Sequence, residues 1–268
     1  MKLTLAIAVS SFAAIGAASA QHSDIPDFSS NGTGWQAGNG GDYAAVPGSP
    51  MPIREDPRYP YVPNNTGKQP TFRIGDIANP NLKQWARDAM KKDNDEVLAG
   101  KIAYTPYSTC HPAGVPAADL QGGPFFFVQG PKEVLILMQQ DAQVRHVYLD
   151  VPHSRDVKPS WYGESVGRYD SDGSLVVDTI GLAPNSFVDA YRTPHTDKLH
   201  VIERFRLVND GKAMQIAIHI DDPDTFNQPY DVTRTYRRIS GHLDEEICAE
   251  NNQHLFDYHI PVAAHGDF

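Results

Sequence analysis

The chain has 268 residues, 40% of them hydrophobic, with 33 acidic against 23 basic side chains and a formal net charge of −10. Acids and bases are interspersed and no basic run or aromatic-basic stripe occurs, which argues against a nucleic acid or an anionic membrane surface as partner. A small molecule or saccharide fits the composition better.

Lys2 is followed by an apolar stretch from Leu3 to Ala18 and by Ala18-Ser19-Ala20, the pattern of a secretory signal peptide cut before Gln21. No later segment approaches the roughly 20 apolar residues of a membrane crossing, so no membrane insertion is expected. The mature protein is expected to be periplasmic or secreted. Residues 21–76 are rich in Gly, Pro, Ser and Asn, a composition that buries too little apolar surface to offset its ordering entropy. They read as an extended arm, which Tyr59, Tyr61 and Phe72 could pin to the domain that follows. Its sequons at Asn31 and Asn64 matter only in a glycosylating host.

Residues 77–260 read as one β domain with a single helix at about 80–92, with a further turn to Leu98. Asn79-Pro80 has the form of an N-cap and first helical residue, and Leu82, Trp85, Ala86, Ala89 and Met90 fall on one stripe. From Ile102 the pattern turns to short β runs near 125–128, 133–139, 143–149, 165–169, 174–179, 200–208, 214–220 and 230–238. Gln129-Gly-Pro, Gln140-Asp141, Asp170-Ser-Asp-Gly and Asn209-Asp-Gly supply the turns between them. Consecutive hairpins predict an antiparallel up-and-down barrel or curved sheet of lipocalin-like size with an internal pocket, the alternative being a β-sandwich. Cys110 and Cys248, the only cysteines, read as a disulfide in an exported chain.

Chemistry-bearing side chains concentrate in two loop-like runs, from His153 to Arg168 and from His195 to Arg204. In the strand beginning at His200, alternation puts Val201, Glu203, Phe205 and Leu207 on one face and His200, Ile202, Arg204 and Arg206 on the other. Glu203 thus lies on the apolar face, where a carboxylate must be paired or protonated. Two readings stay open: a buried structural pair, or a general acid/base working with His153, His195 and His200. Asp178, in Leu175-Val-Val-Asp-Thr, poses the same choice between strand-end hydrogen bonding and function.

Trp161 and Tyr162 beside Gly163 could stack on a sugar or aromatic ring, and Arg168 could bind a carboxylate or pair with Glu164 or Glu203. His195, His200 and Glu203 resemble a metal set, but H-x4-H-x2-E matches no metal signature and the strand separates its last two members. No cofactor is expected, with a divalent metal that takes a third nitrogen from His153 as the lesser alternative. Gly163-Glu-Ser-Val-Gly satisfies G-x-S-x-G, yet the strand–turn–helix context of a nucleophile elbow is missing around Ser165, so the glycines are expected to serve a bend and a close approach.

Tyr148-Leu-Asp-Val-Pro-His, Pro159-Ser-Trp-Tyr-Gly-Glu-Ser-Val-Gly-Arg-Tyr, Leu175-Val-Val-Asp-Thr-Ile-Gly and Pro194-His-Thr-Asp-Lys-Leu-His-Val-Ile-Glu-Arg-Phe resemble an abundant, uncharacterised family of exported proteobacterial proteins. The likeness runs from about Asn79 to Asn251 and implies export, with no activity attached. Many members have His in place of Glu164. The residues themselves suggest an exported cofactor-independent hydrolase, lyase or isomerase using His153, His200 and Glu203 on a small sugar-like or aromatic substrate. The alternative is a non-catalytic, lipocalin-like binder.

Overall fold

The computed structural model describes residues 25–29, 32–38, 41–62, 73–120 and 123–248. The leader, both sequons, Phe72 and the end of the domain beyond residue 248 lie outside the described residues. The strands are β1 (Thr33–Ala37), β2 (Ala44–Ala45), β3 (Phe125–Gln129), β4 (Glu133–Met138), β5 (Gln143–Leu149), β6 (Glu164–Tyr169), β7 (Leu175–Ile180), β8 (His200–Val208), β9 (Ala213–Asp221) and β10 (Tyr230–Ser240). One helix, α1 (Gln84–Leu98), precedes β3.

β3 to β10 follow one another around the sheet, and β1 closes it by pairing with both β3 and β10. The result is a nine-stranded β-barrel with β2 added alongside β10. β1 comes from the stretch read as an arm, where Trp35 is a fully buried anchor with its Nε1 donating to Phe28 O at 2.8 Å.

One ladder departs from the antiparallel meander. β5 and β6 pair in parallel, with Val147 opposite Ser165. A parallel pair needs a crossover rather than a hairpin, and residues 150–163 provide it. The run that begins at His153 and includes Trp161 and Tyr162 is therefore this crossover. Gly163 opens β6 at φ +60°, where a Cβ would collide with the Ile180 carbonyl, and a Cβ on Gly167 would lie 2.7 Å from Val147 Cγ1. Both glycines of the G-x-S-x-G pattern thus serve close packing of the wall.

The register gathers the end of β1, the start of β3, the end of β4, the starts of β5 and β6, the end of β7 and the start of β8 at one end of the barrel. Residues 181–199, two short 3-10 turns (Pro106–Thr109 and Ala117–Leu120) and α1 lie over that end. Lys83 N, for example, donates to Thr225 O at 2.9 Å, between β9 and β10. Cys110, at the close of the first turn, is joined to Cys248, with Cα atoms 5.4 Å apart.

The helix starts later than the Asn79-Pro80 signal suggests. Lys83 occupies the N-cap position without a side-chain cap, while Asn79 Oδ1 accepts from Asn81 N in a local turn. The face of the helix that is buried carries Ala86, Met90, Asn94 and Val97, and Trp85 is 40% exposed with its Nε1 bonded to Asp224 O. Trp85 and Ala89 are therefore not part of the helix's buried face.

The barrel is filled by its own side chains. Phe127 packs against Phe28 and Phe205 at 5.2 and 5.9 Å between ring centroids, and Phe125 against Tyr236 at 5.3 Å. These rings share the interior with Ile136, Val177, Ile216 and Ile218. Among the described residues the interior is thus packed with side chains, and open volume lies at the covered end.

Candidate functional site

Glu203 projects inward from β8 and is 0% exposed, as alternation required. Its partner is Arg145 on β5, whose Nη1 donates to Glu203 Oε1 at 2.9 Å and whose Nη2 reaches Oε2. Arg145 also donates through Nε to Ser165 Oγ at 3.1 Å and through Nη2 to Thr179 Oγ1 at 2.8 Å. Burial alone would depress the guanidinium pKa, but the Glu203 carboxylate more than offsets this and holds it above its ordinary value. Ser165 and Thr179, 2.9 Å apart, complete a closed network across β5, β6, β7 and β8. Both oxygens of Glu203 are thus taken up by the ion pair with Arg145.

Asp119 lies beside this pair, 3% exposed. Burial, and then the Glu203 charge, push its carboxyl well above the usual range. Arg145 is legible only in retrospect, since Arg145, Val147 and Leu149 share a face and place a guanidinium among apolar neighbours.

His200 points to the outside of the wall, away from Glu203, and its Nε2 lies 2.8 Å from Asp178 Oδ1. His153, in the crossover, brings its own Nε2 to 2.9 Å from the same oxygen and its Nδ1 to 3.1 Å from Glu164 Oε1. Glu164 is held in turn by Ser154 N and Oγ at 2.7 and 2.6 Å. Asp178 would be raised by burial, but the two imidazoles bring its pKa below the ordinary value. His153 and His200 thus meet through Asp178 on the outer surface, without Glu203. A groove of about 340 Å³, lined by His146, Tyr148, Lys158 and Glu164 among others, runs beside them.

His195 belongs to neither group. It is buried in the covered end, with Nδ1 donating to Thr196 O at 2.8 Å and Nε2 accepting from Ser186 Oγ at 2.8 Å. Burial lowers its pKa against the opposing influence of Thr196 O and Asp222. Ser186–His195 has the bond of a nucleophile and its base, but Ser186 is 1% exposed. A Cβ on Gly114 would come within 2.8 Å of both Ser186 Oγ and Trp161 O, so the hydroxyl is sealed in. His195 is thus held by two hydrogen bonds away from solvent.

Trp161 stacks on His111 with centroids 5.0 Å apart, and the Tyr162 hydroxyl bonds Gln143 Oε1. Arg168 pairs with Asp170 at 3.0 Å rather than with Glu164 or Glu203. The metal set considered for His195, His200 and Glu203 is dispersed between a buried loop, the outer wall and the core. Among the described residues, no group of three or more His, Cys, Asp or Glu is arranged to hold a metal ion.

Asp222, between β9 and β10, locks the loop of His195 onto the barrel. It accepts from Thr196 N and Oγ1 at 2.6 and 2.9 Å and from Thr225 Oγ1 at 2.8 Å. Burial would raise its carboxyl, but these bonds together hold it below the ordinary value. Replacing it by Asn is expected to cost about 2 kcal/mol at pH 7. A depressed folded pKa stabilises the fold above the unfolded value of about 3.9 and ceases to do so as pH falls through the folded one. Urea midpoints of parent and variant should therefore converge on acidification from pH 7 to well below about 4, and a constant gap would refute this assignment.

A cavity of about 860 Å³ lies at the covered end. Gln36 and Ala37 of β1, the turn from Thr105 to Tyr107, Ala117 and Leu120, Gln139 and Gln140, the loop from Phe187 to Arg192, and Arg234 of β10 surround it. Its walls mix aromatic and aliphatic surface with three guanidinium groups, from Arg73, Arg192 and Arg234. Sequence reading missed this site because its wall is assembled from side chains far apart along the chain, none in a motif. No helix among the described residues is long and apolar enough to cross a membrane. No protein-family model matches the chain, and no curated protein matches it.

Proposed function

We propose that this protein is an exported binding protein that holds a small organic molecule in the cavity at the covered end of its β-barrel. The observation that carries this reading is the cavity itself, whose volume of about 860 Å³ and mixed apolar and polar walls suit a small ligand. The residues first considered for acid/base chemistry favour it indirectly. Glu203 is consumed by Arg145, His195 is sealed, and only His153 and His200 meet. The Cys110–Cys248 link is consistent with export to an oxidising compartment.

A thermal-shift screen of aromatic acids, sugars and neutral aromatic compounds against the full protein tests the proposal. At least one class should raise the melting temperature, and Ala117→Trp, which puts an indole into the cavity, should abolish that rise while leaving the unliganded protein folded. No shift from any class, or shifts untouched by Ala117→Trp, would count against it.

A second reading rests on the convergence of two imidazoles on Asp178 beside the outer groove. It makes the outer wall a general acid/base site for a hydrolase, lyase or isomerase. Turnover of a chromogenic glycoside or ester that disappears in Asp178→Asn and persists in Ala117→Trp would support this enzyme over the binder.

A further inference from the structure

The wall of the cavity at the covered end carries charge of both signs. Arg73, Arg192 and Arg234 stand in it together with Asp189 and Glu246. Cations and anions interspersed in this way do not select an ion of either sign. What they present together is hydrogen-bond donors and acceptors side by side.

The group that points to a ligand is a neutral one, Gln140. It follows β4, is 8% exposed and faces the cavity. Among the described residues no hydrogen bond reaches its carboxamide. Buried side-chain amides are otherwise met by protein or by a bound molecule, because leaving both the N–H groups and the carbonyl unmet is costly. The turn that presents it is strained as well: Asp141 and Ala142, the next two residues, have φ of 55° and 47°, in the left-handed region that residues with a Cβ seldom occupy. That turn is fixed to the cover of the barrel, since Asp141 Oδ1 accepts from Cys248 N at 3.3 Å.

Two further glutamines face the same space, Gln139 in the same turn and Gln36 on β1. Gln36 Oε1 accepts from Arg237 Nη2 at 2.6 Å, which orients its amide and leaves the N–H groups as donors. The rings of Tyr61 and Phe187 supply flat apolar surface between these polar groups, and Phe187 is steadied edge-on by Tyr104 at 6.3 Å between centroids.

We propose that the cavity takes a small saccharide, with Gln140 bonding its hydroxyls and an apolar face of the sugar ring resting on Tyr61 or Phe187. This rests on the proposed binding function and names its ligand class. A hydroxyl both donates and accepts, so a polyol can meet carboxamides, guanidinium groups and carboxylates in one wall. A simple ion or a hydrocarbon leaves part of that wall unmet.

Isothermal titration of the full protein at pH 7 with glucose, galactose, mannose, xylose, maltose, cellobiose and lactose tests the proposal, beside binding of the neutral dye Nile red. At least one sugar should bind with a Kd below about 1 mM, and Ala117→Trp should exclude it. Gln140→Leu should weaken that sugar at least about tenfold while Nile red still binds. The same variant, unliganded, should melt no lower than the parent, because its amide has no partner to lose. A lower melting temperature, or failure to fold, would show that the amide is already bonded and would overturn the proposal. Sugar affinity unchanged in Gln140→Leu, or sugar binding that survives in folded Ala117→Trp, overturns it too. If Nile red binds and Ala117→Trp excludes it while no sugar binds, the cavity reading stands and the saccharide falls. If nothing binds, both fall.

Discussion

Glu203→Ala is expected to be among the most destabilising single substitutions in the barrel, lowering the unfolding free energy by about 3–5 kcal/mol. The loss comes from what is left behind rather than from the bond itself. Arg145 would keep its charge in the core with the Ser165 and Thr179 hydroxyls to solvate it and Asp119 nearby in place of a bonded carboxylate. The ion pair stabilises little on balance, because desolvating both groups offsets most of their attraction. Replacing the pair together, as Arg145→Met with Glu203→Leu, should therefore recover most of the loss, with Ser165 and Thr179 still able to bond each other. Urea unfolding of parent, single and double variants at pH 7 gives the answer. A single variant that costs less than about 1 kcal/mol would show that the two charges do not depend on each other, and would reopen an acid/base role for Glu203.

The second large effect belongs to the strand that closes the barrel. Trp35→Ala removes a side chain with no exposed surface, together with its bond to Phe28 O and its contact with the Arg238 guanidinium 4.7 Å above the ring. Large-to-small changes at such positions cost about 3–5 kcal/mol. Here the damage falls on β1, a strand of five residues that carries the seam between β3 and β10. Trp35→Phe should retain the packing and lose about 1 kcal/mol for the unmet Phe28 carbonyl. Denaturation curves compare the two, and hydrogen exchange should show amides of β1 and β10 losing protection first in Trp35→Ala. Unchanged protection in those strands would mean that the seam is held elsewhere.

The run from β3 to β10 was legible in the sequence because period-two alternation and hairpin turn residues agree over each strand. Direction was not legible: alternation is the same for parallel and antiparallel partners, so the β5–β6 pair and its crossover could not be read from pattern. β1 was hidden because Gly32, Gly34 and Gly38 give its surroundings the composition of a linker, and only Trp35 marks it. The Asn79-Pro80 signal misled because Asn79 caps a turn rather than the helix, and the face of the helix that docks carries Ala86 and Met90 but not Trp85.

At the candidate sites, alternation correctly set His200 and Glu203 on opposite faces, but it could not say that Arg145 would answer Glu203 across the interior. Nor could it bring His153 to Asp178, since that meeting depends on the path of the crossover. The cavity lies beyond such reading altogether. Its wall joins residues from Gln36 to Glu246, which only the closed fold brings together.

The pairing of Thr33 with Ser240 carries a consequence for how the molecule comes into being. A chain synthesised from its amino end delivers β1 first and the strand that β1 must lie against last. Until β10 has arrived, the sheet from β3 onward has open edges on both sides, of the kind that recruit strands from neighbouring molecules. Such distant pairing is slow to form, because the loop must be closed before any contact rewards it. The interval between delivery of β3 and closure by β1 is thus the period in which this protein most needs to be kept from its own copies.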